Sequence, residues 1–159
     1  AYAAYVLARS NRAPLAHLRR LFEAQENSSA RSGLPWAHLG FALKVAGDTE
    51  LAQQAFDKAK QTKYSQGYYG YYGSELRDAA LLYAVLAKSG QAEGQQLLDV
   101  FDLARQRRWL STQERNSLFQ AAVASAGDGQ STTEASLITS DFTQEINEKG
   151  VFTLFLIHI

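Results

Sequence analysis

Apolar residues return at helical spacing through most of the chain, and the breaks between these stretches fall on Gly, Pro, Asn and Ser. This pattern constrains the fold more than any other feature, because it predicts seven helices, each with one face to bury, packed as antiparallel pairs. The first is expected over residues 2–10, with Tyr5, Val6 and Ala8 on its buried side. The second opens at Pro14, tolerated in a first turn where its missing N–H costs nothing, and carries Leu15, Leu18, Leu21 and Phe22. A third starts near Pro35 and groups Trp36, Leu39, Leu43 and Ala46; Asp48 or Thr49 then caps a fourth that buries Leu51, Ala55, Phe56 and Ala59. Ser74 and Glu75 begin a fifth, carrying Leu76, Ala79, Ala80, Tyr83 and Leu86 as far as Gly90. The sixth, residues 92–107, is expected to bury Leu97, Leu98, Phe101 and Ala104. The seventh starts at Ser111, which stands with Glu114 in the S-x-x-E relation of a capping box, and ends near Gly127.

After Gly127 the composition changes. Leu137-Ile138-Thr139, Phe142-Thr143 and the apolar run from Val151 to Ile159 are β-branched and aromatic, which predicts strands. The expected organisation is therefore a helical region over residues 1–127 and a β-rich segment over 128–159, the possible start of a following domain. The last run would be an aggregation hazard as a free edge, so it is expected to pair with other chain.

At 159 residues, 46% of them hydrophobic, the chain can enclose one core but not two ordinary domains. Sixteen Lys and Arg balance sixteen Asp and Glu, which disfavours a nucleic-acid partner or an anionic membrane surface. The absence of cysteine removes disulfides, Cys-ligated zinc and thiolate nucleophiles together. No stretch reaches the ~20 apolar residues needed to cross a bilayer, so no membrane insertion by this chain is expected. Ala1-Tyr2-Ala3-Ala4-Tyr5 carries no initiator Met, basic region or cleavage pattern, as a start inside a longer protein would look.

Few residues suggest chemistry. Trp36, Leu39, Gly40, Leu43, Gly47, Ala52, Phe56 and Ala59 follow the tetratricopeptide spacing through one unit, which leaves a helical-repeat, peptide-binding module as an alternative. Tyr68, Tyr69, Tyr71 and Tyr72, interleaved with glycine, are either an adaptable interaction surface or a loop pinned to the domain by its rings. In the stretch Gly73-Ser74-Glu75-Leu76-Arg77-Asp78, Ser74 suits an N-cap, Glu75 suits the helix dipole, and Arg77 can pair with Asp78 or a neighbouring helix. The cluster Arg105, Arg107 and Arg108 suits a helix C-terminus and is too short to argue for phosphate binding. His17, His38 and His158 lie far apart with no acid at metal-ligand spacing, and no nucleophile elbow, P-loop or dinucleotide fingerprint occurs. No catalytic residue, cofactor or metal is expected. An α/α-toroid enzyme would need an acid/base pair, for which Glu75, Asp78 and Glu114 are the only candidates.

Several of these segments, in this order, resemble the thioester domain of bacterial alpha-2-macroglobulins. They are Ala1 to Arg9, Arg12-Ala13-Pro14-Leu15, Leu34-Pro35 with Leu39-Gly40, Tyr72 to Leu81, and Arg108-Trp109-Leu110-Ser111-Thr112-Gln113-Glu114. The resemblance covers about the first 127 residues and matches the trailing half of that domain. It implies an α/α toroid of helix pairs, followed by a β-rich domain. It also implies a structural role for Gly73, Ser74, Arg77, Asp78, Trp109, Ser111, Gln113 and Glu114.

Members of that family carry a Cys-Leu-Glu-Gln segment whose internal thioester acylates an attacking protease. With no cysteine, this chain cannot form that bond; truncation before residue 1 is the expected reason, and descent from a paralogue that has lost the motif is the alternative. The resemblance thus implies a non-enzymatic part of a periplasmic, broad-spectrum protease inhibitor, whose partners are target proteases and neighbouring β-domains.

Overall fold

The computed structural model describes residues 1–65 and 73–127 in full, and residues 132–138 and 143–149 as backbone. Seven helices fill the first two stretches: α1 (Tyr2–Ala8), α2 (Leu15–Glu26), α3 (Leu34–Val45), α4 (Thr49–Gln61), α5 (Glu75–Lys88), α6 (Gly94–Arg105) and α7 (Thr112–Ala126). Two strands follow, β1 (Thr132–Ile138) and β2 (Thr143–Lys149), paired antiparallel with Thr132 opposite Lys149 and Ile138 opposite Thr143. The described chain is mainly α with a short β-rich C-terminal segment. The expected strand at 151–159 and the tyrosines at 68, 69, 71 and 72 lie outside the described residues.

The organising element is α3. Leu34, Trp36, Ala37, His38, Leu39, Gly40, Ala42 and Leu43 are all buried, so this helix is apolar nearly all round, as one enclosed by neighbours must be. It contacts α1, α2, α4 and α5. The α3–α4 hairpin closes tightly because Gly40 lies against Phe56: a Cβ there would stand 2.8 Å from the Phe56 ring, and one at Gly33 would overlap the Ala59 carbonyl. The small-residue contact implied by the tetratricopeptide spacing is therefore present in this one hairpin. Asp48, not Thr49, caps α4, its Oδ1 accepting from Leu51 N at 3.3 Å. A second cluster joins Leu76, Ala80, Tyr83, Val100 and Ala121, where α6 and α7 pack on α5.

Four expected core residues are exposed instead: Val6 (45%), Leu21 (36%), Leu98 (56%) and Phe101 (50%). The reason is geometric. α1 meets α3 through Ala4, Tyr5 and Ala8, and Val6 lies a further 100° round the helix. α2 uses Leu18 and Phe22, leaving Leu21 at the edge. α6 is apolar on two faces, and only the stripe of Val100 with Leu97, Leu103 and Ala104 is covered. α6 also starts two residues later than expected, because Glu93 is its N-cap and the Glu93 N–H donates to Gln96 Oε1 at 2.9 Å.

Candidate functional site

Ser74 ends an extended approach to α5 (φ −132, ψ 131) and caps it, its Oγ accepting from Arg77 N at 3.4 Å. The same hydroxyl donates to Glu114 Oε1 at 2.6 Å. Glu114 is the third residue of α7, and its other oxygen accepts from Ser111 N at 2.8 Å and from Ser111 Oγ at 2.9 Å. Ser111 Oγ in turn accepts from Glu114 N at 3.2 Å, completing the capping box that the S-x-x-E spacing predicts. One carboxylate thus holds two helix N-termini side by side. Ser74's hydrogen bond holds the Glu114 carboxyl below its ordinary range; burial opposes this, and the Ser111 N–H and hydroxyl and the Arg107 charge add to it.

The next turn of α5 makes a second junction. Asp78 is buried, and its Oδ2 accepts from Ser32 Oγ, on the approach to α3, at 2.8 Å. Its Oδ1 accepts from Arg77 Nε at 2.9 Å and Nη2 at 2.6 Å. Arg77 Nη1 reaches across to Gln113 Oε1 at 3.2 Å. The buried carboxylate is paired and fully hydrogen-bonded, the condition under which a buried charge is tolerated. Arg77 pairs with its neighbour and with another helix together, two uses that its sequence position had offered as alternatives.

Ser74, Arg77, Asp78, Ser111, Gln113 and Glu114 therefore meet in one clasp across α5 and α7, tied to the α3 approach by Ser32. Gly73 precedes the cap, half-buried. Trp109 stands apart on the α6–α7 linker, 72% exposed. Glu75 is exposed, while Asp78 and Glu114 are each held in hydrogen bonds, so the three acids do not form an open acid/base pair. Among the described residues, no group of His, Cys, Asp and Glu could hold a metal ion, and no helix is long and apolar enough to cross a membrane.

The clasp borders a cleft of about 960 Å³, lined also by Tyr2, Tyr5 and His38. The His38 ring sits 4.8 Å from Tyr5 and 5.4 Å from Tyr2, centroid to centroid. Burial, opposed by Asp78, lowers its pKa to about 4, so it is neutral at pH 7. Sequence reasoning missed Ser32 and the place of His38. Ser32 meets Asp78 across 46 positions of chain, and no local pattern announces such a contact.

No protein-family model matches the chain. It is 42% identical over 127 residues to alpha-2-macroglobulin of Escherichia coli strain K12, an alignment taking in 76% of this chain and 8% of that protein. It is 37% identical over 156 residues to alpha-2-macroglobulin of Xylella fastidiosa strain 9a5c, covering 92% of this chain and 9% of that protein. Among solved structures, E. coli alpha-2-macroglobulin activated by porcine elastase superposes with a TM-score of 0.71 at 36% identity, over 94% of this chain and 14% of that one. Native E. coli alpha-2-macroglobulin spanning domain MG7 to the C-terminus superposes with a TM-score of 0.69 at 35% identity, over 94% of this chain and 24% of that one. The chain spans less than a tenth of the length of these curated relatives. With sequence and fold agreeing over most of its length, the chain belongs to the bacterial alpha-2-macroglobulin family, in the helix-pair architecture of that family's α/α toroid.

Proposed function

We propose that this chain is the trailing, non-enzymatic half of a thioester domain within a periplasmic, broad-spectrum protease inhibitor. Residues 1–127 supply the helical wall against which the thioester segment packs, and residues 128–159 begin the β-rich domain that follows. The observation that carries this reading is the clasp. The two most specific stretches of the resemblance, Tyr72 to Leu81 and Arg108 to Glu114, are distant in sequence yet interlock through Ser74–Glu114 and Arg77–Gln113. Gly73, Ser74, Arg77, Asp78, Ser111, Gln113 and Glu114 are in this reading structural residues that set the angle between helix pairs.

Two further features support it. The chain has no cysteine, as a stretch of the domain that does not itself hold the thioester would. Apolar side chains also stand uncovered at both ends of the helix array: Val6 and Leu7 on α1, and Leu98, Phe101, Trp109, Phe119 and Val123 along α6, α7 and the linker between them. A section of a ring leaves such faces where further helices belong. The target is a protease, as for the elastase-activated E. coli relative.

The test is to read the coding sequence around this chain for a Cys-x-Glu-Gln segment and incubate the encoded protein with elastase. A protease adduct that survives boiling in SDS, and that pretreatment with methylamine prevents, is the expected result. An encoded protein with the Cys-x-Glu-Gln segment that leaves elastase unattached and unhindered sinks the inhibitor reading.

A further inference from the structure

We propose that the cleft between α1, α3, α5 and α7 binds an extended acidic peptide segment, engaging its carboxylates with Arg9 and Lys88 and its apolar side chains with Tyr2 and Tyr5. The inference rests on the lining of the cleft and does not depend on the thioester reading.

Charge comes first. Arg9, Arg77 and Lys88 face the cleft against one acid, Asp78, and Arg77 already holds Asp78 at 2.6 and 2.9 Å. Arg9 and Lys88 are exposed and form no ion pair with the described residues; Arg9 lies 6.0 Å above the Tyr5 ring. Sixteen cations and sixteen anions balance over the whole chain, so this excess is local to the cleft. Its volume of about 960 Å³ falls within the ~300–1,000 Å³ usual for ligand clefts.

The lining also favours a peptide over another polyanion. Gln113, Asn116 and Gln120 line the cleft at i, i+3 and i+7 of α7. That stripe is about 10 Å long at 1.5 Å per residue, the reach of roughly three residues of extended chain. Side-chain amides carry both donors and acceptors, which suits a peptide backbone, whereas phosphates call for donors alone. Gln113 gives its carbonyl to Arg77 and keeps its NH2 for a ligand. His38 is neutral and adds ring surface beside the two tyrosines rather than charge.

Fluorescence anisotropy of a fluorescein-labelled peptide of alternating Glu and Leu, titrated with the full chain, tests this. The expected result is saturable binding that weakens as ionic strength rises above about 0.15 M. Arg9→Glu and Lys88→Glu are each expected to weaken it about tenfold while the helical circular dichroism persists, both side chains being exposed. Arg9→Gln and Lys88→Gln replace them if a reversal disturbs folding, with a smaller loss expected. Absence of binding, equal affinity for a Gln–Leu peptide, indifference to these substitutions, or displacement by oligothymidylate as effective as by unlabelled peptide would each overturn the proposal.

Discussion

Glu114 and His38 are both ionisable, both buried, and shifted for different reasons, so acid separates them. Glu114's carboxylate is held ionised chiefly by the Ser74 hydroxyl, which lowers its pKa from the ordinary 4.5. Its folded pKa being the lower one, its contribution is complete above pH 4.5 and is lost as pH falls through the folded value. His38, lowered from 6.5 to about 4, is held uncharged by burial, and the unfolded chain takes up its proton first as pH falls. Stability is therefore expected to fall by about 1.4 kcal/mol per pH unit between 6.5 and 4, roughly 3 kcal/mol in all. Urea unfolding at pH 7, 5.5 and 4.5 reads this window, and His38→Phe is expected to flatten it; a slope unchanged in that variant would refute the assignment. Glu114→Ala leaves the Ser74 hydroxyl and the Ser111 N–H without their acceptor and is expected to cost about 2–3 kcal/mol at pH 7. The capping half of Glu114's role was legible, because S-x-x-E is a local spacing. Its bond to Ser74 was not, because residues 40 apart meet only once the helices are packed.

At the level of the helices, the sequence pattern located all seven in the described chain, with ends shifted by a residue or two where caps decide them. It was weaker on which face is covered. Spacing says that a helix has an apolar side, but α6 has two, and only the position of α5 determines that Val100 is buried while Leu98 and Phe101 are not. In β2 only the start at Thr143 was legible: Gln144, Glu145, Asn147 and Glu148 are polar, and pairing with β1 supplies what propensity does not. The α3–α4 hairpin offers a graded test. Gly40→Ala would set its Cβ 2.8 Å from a ring that can shift, for an expected loss of about 1–3 kcal/mol. Gly33→Ala meets the backbone carbonyl of Ala59, which cannot yield without moving α4, and is expected to cost more than Gly40→Ala. Equal urea midpoints for the two variants would mean that the hairpin is less tightly closed than these contacts imply.

For the molecule as a whole, the relation between covered and uncovered surface matters most. α3 is buried over most of its circumference, whereas the outer faces of α1, α6 and α7 and the α6–α7 linker expose Val6, Leu7, Leu98, Phe101, Trp109, Phe119 and Val123, an apolar load unusual for a self-contained domain. The chain spans less than a tenth of its relatives' length, and under the proposed function such faces are the joints to the rest of the inhibitor. They also carry little of this chain's own folding energy. Phe101→Glu and Phe119→Glu are expected to move the urea unfolding free energy by no more than about 0.5 kcal/mol, while reducing dye binding at apolar surface and concentration-dependent self-association in sedimentation. The same pair placed in the full-length parent protein should behave oppositely, costing several kcal/mol there because a charge would enter a closed joint. A large loss in the isolated chain would show that its α6 and α7 faces are already covered, and a negligible loss in the parent would show that no neighbour packs on them.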